Sequence, residues 1–177
     1  MCAIEVTPSL ATERLLLRGH VPSDAERLCQ LANDIKVAGM TAAMPHPYGA
    51  ADAEAFIDRS IRQDWRTQAA FAIEHRDFGL VGGLGFKPAS RGRTELGYWI
   101  GRPFWNRGYA TEAARAALRW AQRDWRKRLV VAGHFADNPA SGQVLCKSGF
   151  LYTGDVELRD SRARGQPVPT RLMVWLA

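Results

Sequence analysis

Apolar and polar positions change period several times along the chain, and each change marks an element. After a loose leader over residues 1–11, positions 14–21 (Arg-Leu-Leu-Leu-Arg-Gly-His-Val) read as a first strand. Ser23-Asp24-Ala25-Glu26 has the form of a capping box and predicts a helix that buries Ala25, Leu28, Leu31 and Ala32. Residues 39–48 break up around Pro45-His46-Pro47, and a second helix starting at Asp52 puts Phe56, Ile57, Ile61 and Trp65 on one face. Strands follow over 70–75 and 80–87, joined by a turn at Asp77-Phe78-Gly79. Gly82, Gly83 and Gly85 inside the later strand predict a bulge or a close neighbour. Residues 94–100 are rich in aromatic and β-branched side chains, and Pro103 ends that strand.

From Gly108 the period changes again. Ala110, Ala113, Ala114, Ala117, Leu118 and Ala121 recur at helical spacing and predict a long helix to about Trp125. Residues 129–135 are a further strand. Asn138 and Pro139 open a short helix in the preferred order, a side-chain cap followed by proline at the first helical position, and Gly149 closes it. Strands over 150–158 and 170–176 finish the chain, with an exposed polar loop expected over 159–169. Periodicity alone thus predicts a mixed, mainly antiparallel α/β domain without internal repeats or linkers.

Composition adds few constraints. The 177 residues are 46% hydrophobic and 24% charged, as expected of one globular domain with its core over about 12–175. No run of ~18 apolar residues suggests a membrane span. The start, Met1-Cys2-Ala3-Ile4-Glu5, lacks the basic and apolar regions of a signal peptide. Cys2, Cys29 and Cys146 have no metal-ligand spacing and read as reduced thiols, with Cys146 expected in the core, so a cytoplasmic protein without a metal is expected. His46 and His75 likewise lack ligand spacing. The net charge of +6 raises the question of nucleic acid, but the 24 basic residues are spread along the chain. Their densest cluster, 123–128, falls at the end of the long helix, where cations complement the dipole. No nucleic-acid-binding motif is visible, and a solvated face plus a phosphate-bearing ligand account for the charge.

The candidate chemistry sits where the strand at 94–100 turns into the long helix, through Trp105-Asn106-Arg107-Gly108-Tyr109-Ala110-Thr111-Glu112. Gly108 lets backbone approach a ligand closely, and a helix N-terminus offers unpaired N–H groups to a phosphate. This run resembles the acyl-CoA-binding motif of the GNAT N-acetyltransferase superfamily, Gln/Arg-x-x-Gly-x-Gly/Ala. Trp105 stands at the Gln/Arg position, as in the Rim-type ribosomal-protein N-terminal acetyltransferase branch, where Trp-x-x-Gly-Tyr-Ala-Thr-Glu is usual. The segment from Asp137 to Phe150 resembles the family's Asn-x-x-Ser/Ala…Lys-x-Gly-Phe motif. The order of elements matches the family over nearly the whole chain.

The resemblance implies the GNAT fold, α+β with a mixed, mainly antiparallel sheet flanked by helices, whose strands at 94–100 and 129–135 splay apart around the pantetheine arm. It implies acetyl-CoA as cosubstrate, contacted by Tyr98, Trp99, Ile100, Trp105, Asn106, Arg107, Gly108, Tyr109, Ala110, Thr111, Asn138, Ser141 and Lys147. Arg102 meets either phosphate or solvent, and Asn138 can cap its helix and contact the cofactor arm together. The implied reaction is direct attack by a primary amine in a ternary complex. Backbone N–H groups near Ile100 and in the turn are candidate oxyanion donors.

For the base, Glu95 is the first candidate, against the plain alternative of a salt-bridged strand carboxylate, and His134 is the second. The tyrosine that much of the family uses as acid is absent, because Leu145 holds that position. The Rim-type branch implicates the serine of Asn-x-x-Ser, here Ser141, whose alternative is a packed residue at a helix start. The acceptor segments expected are 39–49 and 159–169. Neither carries the acidic run a polycationic amine requires, which favours the α-amine of a peptide or protein N-terminus of the ribosomal-protein type. A small amine such as an antibiotic, polyamine or amino acid, and a non-catalytic CoA sensor of the same fold, remain alternatives. A monomer or homodimer is expected.

Overall fold

The computed structural model describes residues 7–177; residues 1–6 of the expected leader lie outside it. Strands β1 (Leu10–Ala11), β2 (Leu15–Arg18), β3 (Ala69–His75), β4 (Gly79–Pro88), β5 (Thr94–Ile100), β6 (Leu129–Phe135), β7 (Leu151–Ser161) and β8 (Gln166–Leu176) form one sheet. Their order is β1-β2-β3-β4-β5-β6-β8-β7. Every neighbouring pair is antiparallel except β5 and β6, which run parallel. Helices α1 (Ala25–Ala32), α2 (Ile35–Ala38), α3 (Ala50–Ile61), α4 (Tyr109–Arg123) and α5 (Pro139–Lys147) cover it.

Strand alternation sends side chains to two cores. On β3, Phe71 and Ile73 pack with residues of α4 and α5, whereas Ala72 packs with α1 and α3. Helix α4 buries Ala113, Ala114, Ala117, Leu118, Trp120 and Ala121. Its small side chains let the helix axis lie close to the sheet, and Trp120 fills the remaining space edge-on against Phe71 at 5.4 Å.

The glycines of β4 do what their placement predicted, and both expected devices are present. A Cβ on Gly83 would lie 2.7 Å from Trp99 Nε1, and one on Gly85 2.8 Å from the Ala69 carbonyl. The ladder pairs Ile73 with Gly82 but Glu74 with Leu80, so Val81 is the bulged residue. Its carbonyl accepts the Gly101 N–H at 2.8 Å, which holds the end of β5 in place.

Several local expectations are corrected. Ser23 does not cap α1. A tight turn over Pro22–Asp24 comes first, and the Asp24 carboxylate accepts the Val21 N–H at 2.9 Å. Proline's preset φ starts this turn before Ser23 can cap. Helix α3 begins at Ala50, with Asp52 accepting the Gly49 N–H at 3.0 Å; it ends at Ile61, which is 50% exposed, and Trp65 lies beyond it. The polar loop expected over 159–169 is instead the hairpin of β7 and β8, paired from Arg159↔Val168 to Ser161↔Gln166. β8 carries Pro167 and Pro169 in this stretch. They are tolerated because β6 pairs with β8 only from Thr170 onward, so the missing N–H groups face no ladder partner there.

His20, just after β2, is buried at 5% exposure, edge-on to Phe56 at 5.0 Å. Neither ring nitrogen has a hydrogen-bond partner among the described residues. Burial disfavours the cation, and the nearby Arg18 guanidinium adds to this against the opposing Asp24 carboxylate, so its pKa is pushed down to about 4. The unfolded chain therefore binds the proton first as pH falls. The associated stability is whole above the ordinary histidine pKa of about 6.5 and drains away towards pH 4, by roughly 3 kcal/mol. We expect His20→Leu to flatten the urea-unfolding free energy across this window. An unchanged slope would remove His20 as its cause.

Candidate functional site

Two features build a cleft at the middle of the sheet. The first is the gap between the parallel strands, which share a single ladder pair, Glu95↔Val131. Beyond it β5 and β6 diverge, and a Cβ on Gly97 would meet nothing within 4 Å. The second is the turn after β5. A short helical turn over Arg102–Phe104 is followed by Asn106 and Gly108 at φ 60° and 79°, both left-handed, before α4 starts. Glycine takes this conformation without strain. The first helical bond, Glu112 N–H to Gly108 O at 3.0 Å, leaves the amides of Tyr109, Ala110 and Thr111 at the helix's open, positive end.

The turn is held from three sides. Trp105 donates its indole N–H to the Ile100 carbonyl at 2.6 Å, which ties the turn back to β5. Arg107 is exposed, with its guanidinium over the Phe78 and Phe104 rings at 5.7 and 6.0 Å. Glu112 anchors the third side. Its carboxylate accepts the Thr12 hydroxyl at 2.6 Å, the Arg14 N–H at 2.9 Å and Arg14 Nε at 2.8 Å. Arg14 also donates to the Arg107 carbonyl at 3.0 Å and lies over the Tyr109 ring at 4.8 Å. Burial raises the Glu112 pKa, but the bonds from Thr12 and Arg14 outweigh it and hold the carboxyl below its ordinary range.

Across the gap, α5 presents Asn138 and Ser141. Asn138 Oδ1 accepts the Ser141 N–H at 3.2 Å and so caps the helix, which leaves its side-chain NH2 to serve another acceptor. Tyr98, from β5, reaches over the gap: its hydroxyl lies 2.7 Å from Ser141 Oγ and 3.0 Å from the Ser141 carbonyl. Burial pushes the Tyr98 phenol well above its ordinary pKa, against the smaller opposing effect of Ser141.

Glu95 lies on the opposite face of β5 from Tyr98. It is 8% exposed and paired with Arg159 of β7 and, at 3.4 Å, with Lys87 of β4. Arg159 reaches it by crossing β6 at Gly133, where a Cβ would lie 3.3 Å from the guanidinium. His134 is engaged at both nitrogens: Nδ1 lies 2.9 Å from the Phe135 carbonyl and Nε2 3.0 Å from the Tyr152 hydroxyl. A carbonyl only accepts, so Nδ1 carries a hydrogen, and in the neutral ring Nε2 accepts from Tyr152.

The structure therefore gathers Tyr98, Trp105–Thr111, Asn138 and Ser141 around the gap and its mouth, and sets Trp99 against both cores. Lys147 stands roughly 13 Å along α5 from the cap, beside Arg115, which donates to its carbonyl at 2.9 Å. Arg102 is turned away to Asp34 at 3.6 Å. The Gly101 N–H, a candidate oxyanion donor, is taken by Val81. Cys146 is exposed on the outer side of α5 and is not the core thiol expected, because Leu145 takes the inward position. Among the described residues, no group of three or more His, Cys, Asp or Glu is placed to hold a metal ion. No helix among them is long and apolar enough to cross a membrane.

The two expected acceptor segments meet. The hairpin turn donates the Arg162 N–H to the Ala42 carbonyl at 3.0 Å and the Ser161 hydroxyl to Thr41 at 3.2 Å. Arg164 donates to the Gly39 carbonyl and pairs with Asp137 at 2.6 Å, which fastens the hairpin to the start of α5. Arg14, Arg159 and Tyr152 went unnoticed in the sequence, because their partners lie far along the chain. Glu112 stood inside the recognised motif, but its role as an anchor depends on Arg14.

Comparison with known proteins agrees with this geometry. The acetyltransferase (GNAT) domain family matches residues 14–151. An uncharacterized N-acetyltransferase of Bacillus subtilis, YoaA, is 28% identical over 158 residues, covering 83% of this chain and 85% of that protein. The ribosomal protein uS5 alanine N-acetyltransferase of Escherichia coli is 32% identical over 78 residues, covering 42% of this chain and 40% of that enzyme. Among solved structures, the microcin C7 self-immunity acetyltransferase MccE in complex with acetyl-CoA and AMP superposes with a TM-score of 0.81 at 19% identity, covering 99% of this chain and 100% of that one.

If Glu112 anchors the turn, Glu112→Ala should cost roughly 2 kcal/mol, since it strands a half-exposed arginine and removes several hydrogen bonds. Amide exchange over residues 107–111 should quicken in step. The exposed pair Asp58–Arg62 is the control, and Asp58→Ala should cost under about 0.5 kcal/mol. Equal losses in the two variants, measured by urea unfolding, would sink the anchor.

Proposed function

Because the chain belongs to the GNAT acetyltransferase family and is an acetyl-CoA-dependent N-acetyltransferase, we propose that the amine it acetylates is the α-amine of a peptide or protein, in the manner of the Rim-type enzymes. The observation that carries this reading is the makeup of the acceptor face. Segment 39–49 holds no aspartate or glutamate, and the hairpin turn beside it brings Arg162 and Arg164. A polyamine or aminoglycoside would find no run of carboxylates in either segment, and Arg164 already pairs with Asp137, whereas a peptide terminus carries one amine and a polar, hydrogen-bonding backbone. The stretch similar to the uS5 alanine acetyltransferase supports the same class.

The residues present fit the cosubstrate. Left-handed Gly108 and the open amides of Tyr109, Ala110 and Thr111 suit a pyrophosphate, and the spare NH2 of Asn138 suits an amide carbonyl of the pantetheine arm. Acetyl-CoA supplies the activated acetyl group. The protein's part is to bind, orient and handle protons. An α-amine, with a pKa of about 7.7–8.0 against about 10.4 for lysine, is already partly neutral near pH 7.5 and needs only a weak base. In this reading Glu95, held by Arg159 and Lys87, takes the amine's proton through water. Ser141 donates a hydrogen bond to the departing sulfur. Glu95 and Ser141 lie on opposite faces of β5, so the amine and the acyl donor approach the gap from two sides.

The test is thiol release from acetyl-CoA in the presence of single acceptors: peptides with free Ala, Ser or Met N-termini, an N-terminally blocked lysine peptide, spermine and kanamycin. We expect release with a free-N-terminus peptide and at least about ten-fold less with the blocked one. Release with spermine or kanamycin alone would overturn the α-amine assignment while leaving the acetyltransferase in place.

A further inference from the structure

The Tyr98–Ser141 contact has a direction built into it. The Tyr98 hydroxyl owns one hydrogen, and two acceptors stand within reach: Ser141 Oγ at 2.7 Å and the Ser141 carbonyl at 3.0 Å. Two arrangements satisfy this geometry. In one, Tyr98 donates to the carbonyl, and the serine hydroxyl spends its hydrogen on the phenol oxygen. In the other, Tyr98 donates to Ser141 Oγ, and the serine hydrogen is free for a third group. The Ser141 main chain is held in place, because its N–H is bound to Asn138 Oδ1 at 3.2 Å in the first turn of α5. Helix α5 provides no phenol of its own at this point; Leu145 is 1% exposed and belongs to the core. The phenol comes from β5, across the gap that the helix faces.

We propose that Tyr98 is the positioning residue that aims the Ser141 hydroxyl, donating to Ser141 Oγ so that the serine hydrogen points at the departing sulfur of coenzyme A. This rests on the reading of Ser141 given above. The step balances without consuming either residue. The amine nitrogen bonds to the acetyl carbon, the carbon–sulfur bond breaks, and the sulfur leaves with the bonding pair. The amine gives up one proton to the water held at Glu95, and the sulfur gains one from solvent. Ser141 stabilises the developing negative charge by donating a hydrogen bond to it. Tyr98, donating in turn to the serine oxygen, makes that hydroxyl a stronger donor. Before substrate arrives the other arrangement is available, so the serine hydrogen is not left unpaired in the half-buried gap.

The test needs no acceptor. The thiol of bound coenzyme A is titrated by the ultraviolet absorbance of its thiolate, with desulfo-coenzyme A as the blank that subtracts the protein's own cysteines and tyrosines. A free thiol ionises near pH 8.5. In the wild type, the bound thiol should titrate below its position in Ser141→Ala by about one pH unit. Tyr98→Phe keeps the ring and loses the donor; it should raise the titration by a similar amount, and the double variant should match Ser141→Ala alone. Desulfo-coenzyme A should still bind all three variants at saturating concentration, so that each titration reads a bound thiol. With whichever peptide the acceptor panel identifies, both single variants should lower kcat about ten-fold at unchanged KM for acetyl-CoA. If Ser141→Ala leaves the bound-thiol titration where it was, the reading of Ser141 as donor fails, and the inference falls with it. If Ser141→Ala shifts it but Tyr98→Phe does not, or if the two shifts add, Ser141 stands and the role given to Tyr98 is overturned.

Discussion

One parallel junction in an otherwise antiparallel sheet is the constraint on which this molecule depends. β5 and β6 meet at Glu95↔Val131 and nowhere else. Each diverging strand keeps a full antiparallel partner on its outer side, β4 for β5 and β8 for β6, so the gap does not unravel the sheet. On the inner side, main-chain groups past the junction are left without a ladder and need other partners. Trp105 satisfies the Ile100 carbonyl from the turn, Tyr98 bridges to α5, and the remaining opening is the space a ligand's own polar groups can fill.

Ion pairs hold the borders of this gap, and each joins elements far apart in the chain. Arg14–Glu112 ties the N-terminal strand to the start of α4. Arg159–Glu95 links β7 to the junction itself, the arginine side chain passing across β8 and β6. Arg164–Asp137 fastens the last hairpin to the start of α5. Each is partly shielded from solvent, which gives it more weight than the exposed pairs elsewhere on the surface. Several arginines are thus spent on internal carboxylates and carbonyls.

Glu95 illustrates how environment divides two readings of one residue. As a strand carboxylate it is fully explained by Arg159 and Lys87, which is the plain alternative foreseen for it. It stands at the closed end of the gap, where β5 and β6 share their ladder pair, on the face opposite Ser141. His134 is likewise engaged at both ring nitrogens, by Phe135 and Tyr152.

By itself the sequence determined whatever depends on neighbours a few residues away. Alternation placed β3 to β6 within a residue or two, alanine spacing placed α4, Asn138-Pro139 and Gly149 bounded α5, and the crowded glycines of β4 announced its bulge. The motif around Gly108 was legible because a left-handed turn at a helix start needs that residue type locally. Tertiary structure decided the rest. It turned the polar, proline-containing stretch 159–169 into a hairpin, because buried Ser161, Val168 and Thr170 outweigh local loop character. It drew Arg14 to Glu112, Arg159 to Glu95 and Tyr98 to Ser141, contacts between residues 98, 64 and 43 positions apart. Periodicity records which face of an element is apolar, but it carries no information about which distant polar group that element will meet, and it is those meetings that shape the cleft.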